Sequence, residues 1–160
     1  DLDEIPNPKL ILKFDIKKQF AVFRQNQYYY KFNLQAKKSP YWNGSRICVK
    51  KYLKSPQWLR NKRFLRRGFL RRIFNKTQLI PNGGWHFSFL KTPEKILKKM
   101  ESYGHGELSD KADISRIKKC IDSKEFFINT NIKLKKVQID ETYPDYIKKN
   151  QDLLSNWIVK

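Results

Sequence analysis

The sequence predicts a mixed α/β domain, a mixed sheet with flanking helices, and three features predict it. Aromatic and β-branched residues crowd residues 19–36, a composition that suits strands. Helical segments open at Ser55-Pro56, Thr92-Pro93 and Pro144, where proline is favoured in a first turn. Extended runs are interspersed among these segments, which separates an α/β domain from a bundle or a sandwich. At 160 residues, with 39% hydrophobic and 14% aromatic content, the chain suits one folded domain, residues 1–160, rather than a disordered tail.

Taken in order, the elements follow from local chemistry. After DLDEIP, the stretch LILKFDI lacks a clean period and reads as a short helix or strand. QFAVFRQNQYYYKFNLQA reads as one or two strands, closed by a turn at Ser39-Pro40. In YWNGSRICVKKYL, Asn43-Gly44 signals a hairpin turn, with a strand after it. From Gln57 to Phe74 apolar residues recur at helical spacing and arginines fill the other face, predicting one basic amphipathic helix or two split at Gly68. QLIPNGGWHFSFL predicts a turn over residues 81–84 and then an aromatic strand. Thr92 caps the next helix, whose apolar stripe is Ile96, Leu97 and Met100. SYGHGELSD is a glycine-bearing loop, ADISRIKKCIDS an amphipathic helix, FFINTNIKLKKVQID extended, and PDYIKKNQDLLSNWIVK a last helix.

Charge narrows the function classes. Residues 16–93 hold 19 Lys and Arg and no Asp or Glu, within a net charge of +20. Such a field attracts nucleic acid, anionic lipid or phosphorylated ligands. Cys48 and Cys120 lack a CxxC pair and read as buried free thiols, not a zinc site. No apolar run approaches the ~18 residues of a membrane helix.

The chemistry-bearing residues cluster in three places. Asp1 and Asp3 form an Asp-x-Asp pair, with Glu4 beside it. Two carboxylates so spaced at the end of a strand suit Mg²⁺ or Mn²⁺ shared with phosphate oxygens, and a solvated turn is the other reading. His86 follows Gly84 and Trp85; it suits a phosphate or sugar-hydroxyl bond, or core packing. Trp85 suits the face of a sugar ring, or the core. His105, Glu107 and Asp110 lie in the glycine-bearing loop.

DLDEIP, then GGWHFSF, HGEL and Pro144-Asp-Tyr-Ile-Lys-Lys-Asn150, in this order along almost the whole chain, resemble glycosyltransferase family 17, the β-1,4-mannosyl-glycoprotein N-acetylglucosaminyltransferase family. The resemblance implies the C-terminal part of a GT-A-type nucleotide-sugar transferase, starting at the metal motif, with the nucleotide-binding portion expected upstream. It implies Asp1 and Asp3 as metal ligands and Mn²⁺ or Mg²⁺ as cofactor; His105 suits a third metal ligand or a diphosphate contact. Glu107 is then the general base, with Asp110 in reserve, and Glu4, Gly84, Trp85 and His86 contact donor or acceptor. The implied partners are a UDP-linked nucleotide-sugar donor and a glycan or glycoprotein acceptor, and the implied reaction is inverting transfer.

Two readings from other classes compete. Aromatics interleaved with Lys and Arg suit a nucleic-acid-binding module, although no helix-turn-helix, zinc-finger or RRM signature accompanies them. A catalytically inactive domain that binds glycan or an anionic membrane surface through the arginine helix is the other.

Overall fold

Seven strands and four α-helices are found among the described residues, 2–64, 77–102 and 113–160, of the computed structural model. The strands are β1 (Glu4–Pro6), β2 (Phe20–Tyr29), β3 (Leu34–Ala36), β4 (Tyr41–Cys48), β5 (Thr77–Ser88), β6 (Glu125–Phe126) and β7 (Asn129–Lys136). The helices are α1 (Pro56–Arg60), α2 (Pro93–Ser102), α3 (Ile114–Asp122) and α4 (Asp145–Lys149). The mixed α/β class read from the sequence is therefore present. The chain divides into two compact units, Asp1–Asn26 with Tyr41–His86 and Gln27–Pro40 with Phe87–Lys160, and both β2 and β5 contribute to each.

In the first unit β4 pairs antiparallel with β2, from Phe20↔Cys48 to Asn26↔Tyr41, with a register shift between Val22 and Arg24. On the other side of β2 lies β5, and β1 pairs antiparallel with β5. Gly83 lies against Phe23, and further along the same two strands Tyr30 N–H donates to the Ser88 carbonyl. Residue numbers rise together along both strands, so this pair is parallel and the sheet is mixed. Ala21, Phe23 and Ile80 form the core here, with Leu10, Phe14 and Ile47 packed against them.

The second unit is built on aromatics. Tyr29, Tyr30, Leu34 and Leu134 meet Ile96 and Met100 of α2 and Ile117 and Cys120 of α3. Asp113 caps α3 by accepting from Arg116 N–H at 2.8 Å. β7 pairs antiparallel with β3 and β6. Tyr30 Oη donates to the Glu125 carbonyl and accepts from Phe127 N–H, and Tyr143 Oη donates to the Phe32 carbonyl.

Four local expectations are corrected. Asn43-Gly44 is not a hairpin turn but the middle of β4, because a Cβ on Gly44 would lie 1.8 Å from Gln25 Oε1; the glycine makes room across the strands. Residues 81–84 bend β5 without ending it, with Asn82 at φ 51° and Gly84 at φ 141°. Of the expected basic helix, Pro56–Arg60 is helical and residues 61–64 are not: the Lys62 carbonyl accepts from Arg46 Nε and the Lys62 Nζ lies 4.4 Å over the Trp58 ring. Residues 65–76, with Arg66, Arg67, Arg71 and Arg72, lie outside the described residues. The last helix ends at Lys149, because the buried Asn33 side chain holds Val159 by both N–H and carbonyl. Cys120 is buried and Cys48 half-buried, both as free thiols. No helix among the described residues is long and apolar enough to cross a membrane.

Burial raises the pKa of both Tyr30 and Tyr143 well above the usual tyrosine range. A group raised on folding stabilises fully below its unfolded pKa of about 10, and that contribution is lost as pH rises toward the folded value, about 1.4 kcal/mol per tyrosine per pH unit. Absorbance titration at 295 nm should therefore show these two phenols ionising only together with unfolding. Full tyrosinate absorbance in a chain still folded by circular dichroism would contradict this.

Candidate functional site

Strand pairing builds the site. β1 lies on β5 with Glu4↔His86, Ile5↔Trp85 and Pro6↔Gly84 in register. Residues directly opposite in an antiparallel pair share a face and successive residues alternate. Glu4 and His86 therefore stand on one face, and Ile5 and Trp85 on the other. The sequence Gly84-Trp85-His86 is split by the pleat. Both are buried, Trp85 at 6% and His86 at 8% exposure, but Trp85 lies on the Ile5 face, whereas His86 stands beside Asp3, with Nε2 3.7 Å from Asp3 Oδ2.

Gly84 makes this docking possible. A Cβ there would meet the Ile5 carbonyl at 2.1 Å, and its φ of 141° is open to glycine and little else. Beyond the strand, Asn7 N–H donates to the Gly83 carbonyl at 2.8 Å.

β4 closes the corner from the opposite edge. Trp42 Nε1 donates to Glu4 Oε1 at 2.7 Å, and its ring lies 5.3 Å from the His86 ring at 39°. Ser45 Oγ donates to the Glu4 carbonyl and accepts from Gln25 Nε2. Gln25 is fully buried, and no described residue bonds its Oε1. An unsatisfied buried acceptor costs about 1–3 kcal/mol, and strain of this kind gathers where a fold serves function. Arg46 donates to the Gly44 and Lys62 carbonyls; burial holds its guanidinium below the usual pKa, partly offset by the Glu4 carboxylate.

Asp3, Glu4 and His86 thus come together, Gly84 seats them, and Trp85 points away. Asp1, His105, Glu107 and Asp110 lie outside the described residues. Sequence reasoning missed Trp42, Ser45, Gln25 and Arg46. No local signal marks them, because their place depends on β4 folding back toward β1. Trp85 takes the core alternative of its two readings, and Trp42, 43% exposed, is the aromatic ring beside His86.

Among the described residues no group of three His, Cys, Asp or Glu side chains is arranged to hold a metal ion by itself. A cation bridging a diphosphate, however, takes one or two protein carboxylates and fills the remaining positions with phosphate oxygens and water. Asp3, with His86 adjacent, fits that donor set.

Comparisons with family models, curated proteins and solved structures find no match.

Replacing Gly84 with alanine should lower unfolding stability by about 1–3 kcal/mol or more through strained φ and the clash with β1. Hydrogen exchange at the Asn7 amide should accelerate in parallel. Unchanged denaturation together with an Asn7 amide as protected as before would contradict this role.

Proposed function

We propose that this chain belongs to a metal-dependent, inverting glycosyltransferase of GT-A type. It moves a sugar, N-acetylglucosamine or a related hexose, from a UDP-linked donor to a glycan hydroxyl. The observation that supports this reading is the meeting of DLDEIP and GGWHFSF: Asp3 lies 3.7 Å from His86 with Trp42 against both His86 and Glu4. These are two of the four blocks that resemble the family.

Each side chain has a role in this reading. Asp3, with Asp1, would hold Mn²⁺ or Mg²⁺. When bound, such an ion neutralises charge on a departing nucleoside diphosphate. His86 donates from its imidazole to a phosphate or sugar oxygen. Trp42 offers the half-exposed ring on which a sugar lies, and its indole N–H fixes the direction of the Glu4 carboxylate. Glu107, with Asp110 in reserve, takes the proton from the acceptor hydroxyl. The acceptor oxygen then bonds to the anomeric carbon as the carbon–oxygen bond to the diphosphate breaks, which inverts that centre.

The nucleic-acid reading draws less support. Arg24 lies 4.8 Å over Tyr41, Lys51 5.0 Å over Tyr52 and Lys62 4.4 Å over Trp58. Each of these rings carries one of the chain's own cations on a face, which leaves less bare aromatic surface for a base to stack on.

Calorimetric titration of Mn²⁺ into the full-length protein, with and without UDP, tests the proposal. Affinity for Mn²⁺ should rise about tenfold or more with UDP, which is ~1.4 kcal/mol of coupling, and Asp3→Ala should abolish the linkage. Trp42→Ala should keep the Mn²⁺ linkage but reduce the preference for UDP-N-acetylglucosamine over UDP. Mn²⁺ binding indifferent to UDP, or unaltered by Asp3→Ala, would overturn the assignment.

A further inference from the structure

The first unit ends in an apolar tip that the transferase reading does not use. The 3-10 helix Pro8–Lys13 is anchored on its inner side, where Leu10 and Phe14 pack against Ala21, Phe23 and Ile80. Gln78 locks it further: its Oε1 accepts from Asp15 N–H and its Nε2 donates to the Lys13 carbonyl, both at 2.8 Å. Asn7 Oδ1 and Asp15 Oδ1 accept from the amides of Lys9 and Lys17. The loop is thus held firmly, yet it presents Leu12 at 93% exposure and Ile16 at 77%, with Ile11 beside them at 41%.

Lysines flank these residues along the chain: Lys9, Lys13, Lys17 and Lys18 lie on the same segment. The β2–β4 register brings in a second basic segment. Phe20 pairs with Cys48 and Val49 N–H donates to the Gln19 carbonyl, so Lys50, Lys51 and Lys54, with the exposed Leu53, leave the sheet at the end where Lys17 and Lys18 enter it. The acidic member of the two segments is Asp15, whose carboxylate is occupied by the Lys17 amide.

We infer that this end of the first unit docks on an anionic lipid surface, with Leu12 and Ile16 entering the acyl boundary and the lysines meeting lipid phosphates and carboxylates. Aliphatic tips alone would suit any apolar partner. Two lysine-rich segments at the same end of the sheet match the charged interface of an anionic bilayer, which rewards apolar burial and lysine charge together. Polynucleotide binding would use the lysines and leave the aliphatic tips in water. This inference stands apart from the transferase reading, because none of its residues belongs to the Asp3–His86 corner.

Co-sedimentation with phosphatidylcholine vesicles containing phosphatidylserine provides the test. The chain should bind these vesicles and leave pure phosphatidylcholine largely unbound. Leu12→Ser with Ile16→Ser should weaken binding about tenfold or more while leaving the thermal melt unchanged, since both side chains are exposed. Lys13→Gln and Lys17→Gln should each weaken it about fivefold at low salt. The inference is overturned if the double serine variant binds vesicles as the unaltered chain does. It is equally overturned if the chain ignores vesicles, whether or not it binds a single-stranded oligonucleotide. Either failure would leave the linkage between Mn²⁺ and UDP untouched.

Discussion

The hold of β1 on β5 is the constraint on which the site depends. β1 is only three residues long, and so short a strand adds little on its own. It is secured by close backbone approach at Gly84, by the Asn7–Gly83 bond beyond its end, and by two bonds to Glu4 from Trp42 and Ser45 of β4. Those contacts fix Glu4 opposite His86, and Asp3 follows from chain geometry. A residue with a side chain at position 84 would push β1 outward, and the carboxylates would separate from the imidazole.

Charge distribution gives that corner its character. The acidic residues of the first unit are Asp1, Asp3, Glu4 and Asp15, against 17 lysines and arginines. A small acidic group inside a strongly positive field favours a cation only when that cation arrives with an anion, as a metal–diphosphate pair does. Arg46, directed by the Gly44 and Lys62 carbonyls, adds a fixed positive charge close to Glu4. The second unit differs in kind: its interior is aromatic and aliphatic, and the buried phenols of Tyr30 and Tyr143 donate to backbone carbonyls.

Much of the fold was legible where the signal is local. The aromatic runs became β2 and β3, the Thr92-Pro93 start became α2 with Ile96 and Met100 buried, and the extended run after residue 125 became β6 and β7. Local signals failed where tertiary pairing overrode them. Asn43-Gly44 has the chemistry of a turn, but cross-strand partners for β4 and the space needed by Gln25 kept it extended. The last helix has helical spacing, but Asn33 captures the chain at Val159. In the site, the Asp3–His86 meeting was readable from motifs, whereas the choice between Trp85 and Trp42 was not. That choice is made by the alternation of a paired strand and the return of β4, neither of which a linear sequence displays.

The most direct measurement of the central claim, that the Asp3–His86 corner receives the cation, is paramagnetic line broadening by Mn²⁺ in the ¹H–¹⁵N spectrum. At substoichiometric Mn²⁺ the account predicts selective loss of the His86 imidazole and Trp42 indole signals, relieved by Asp3→Ala. Loss centred instead on the acidic residues Asp140, Glu141 and Asp145, with the His86 and Trp42 signals intact, would contradict it.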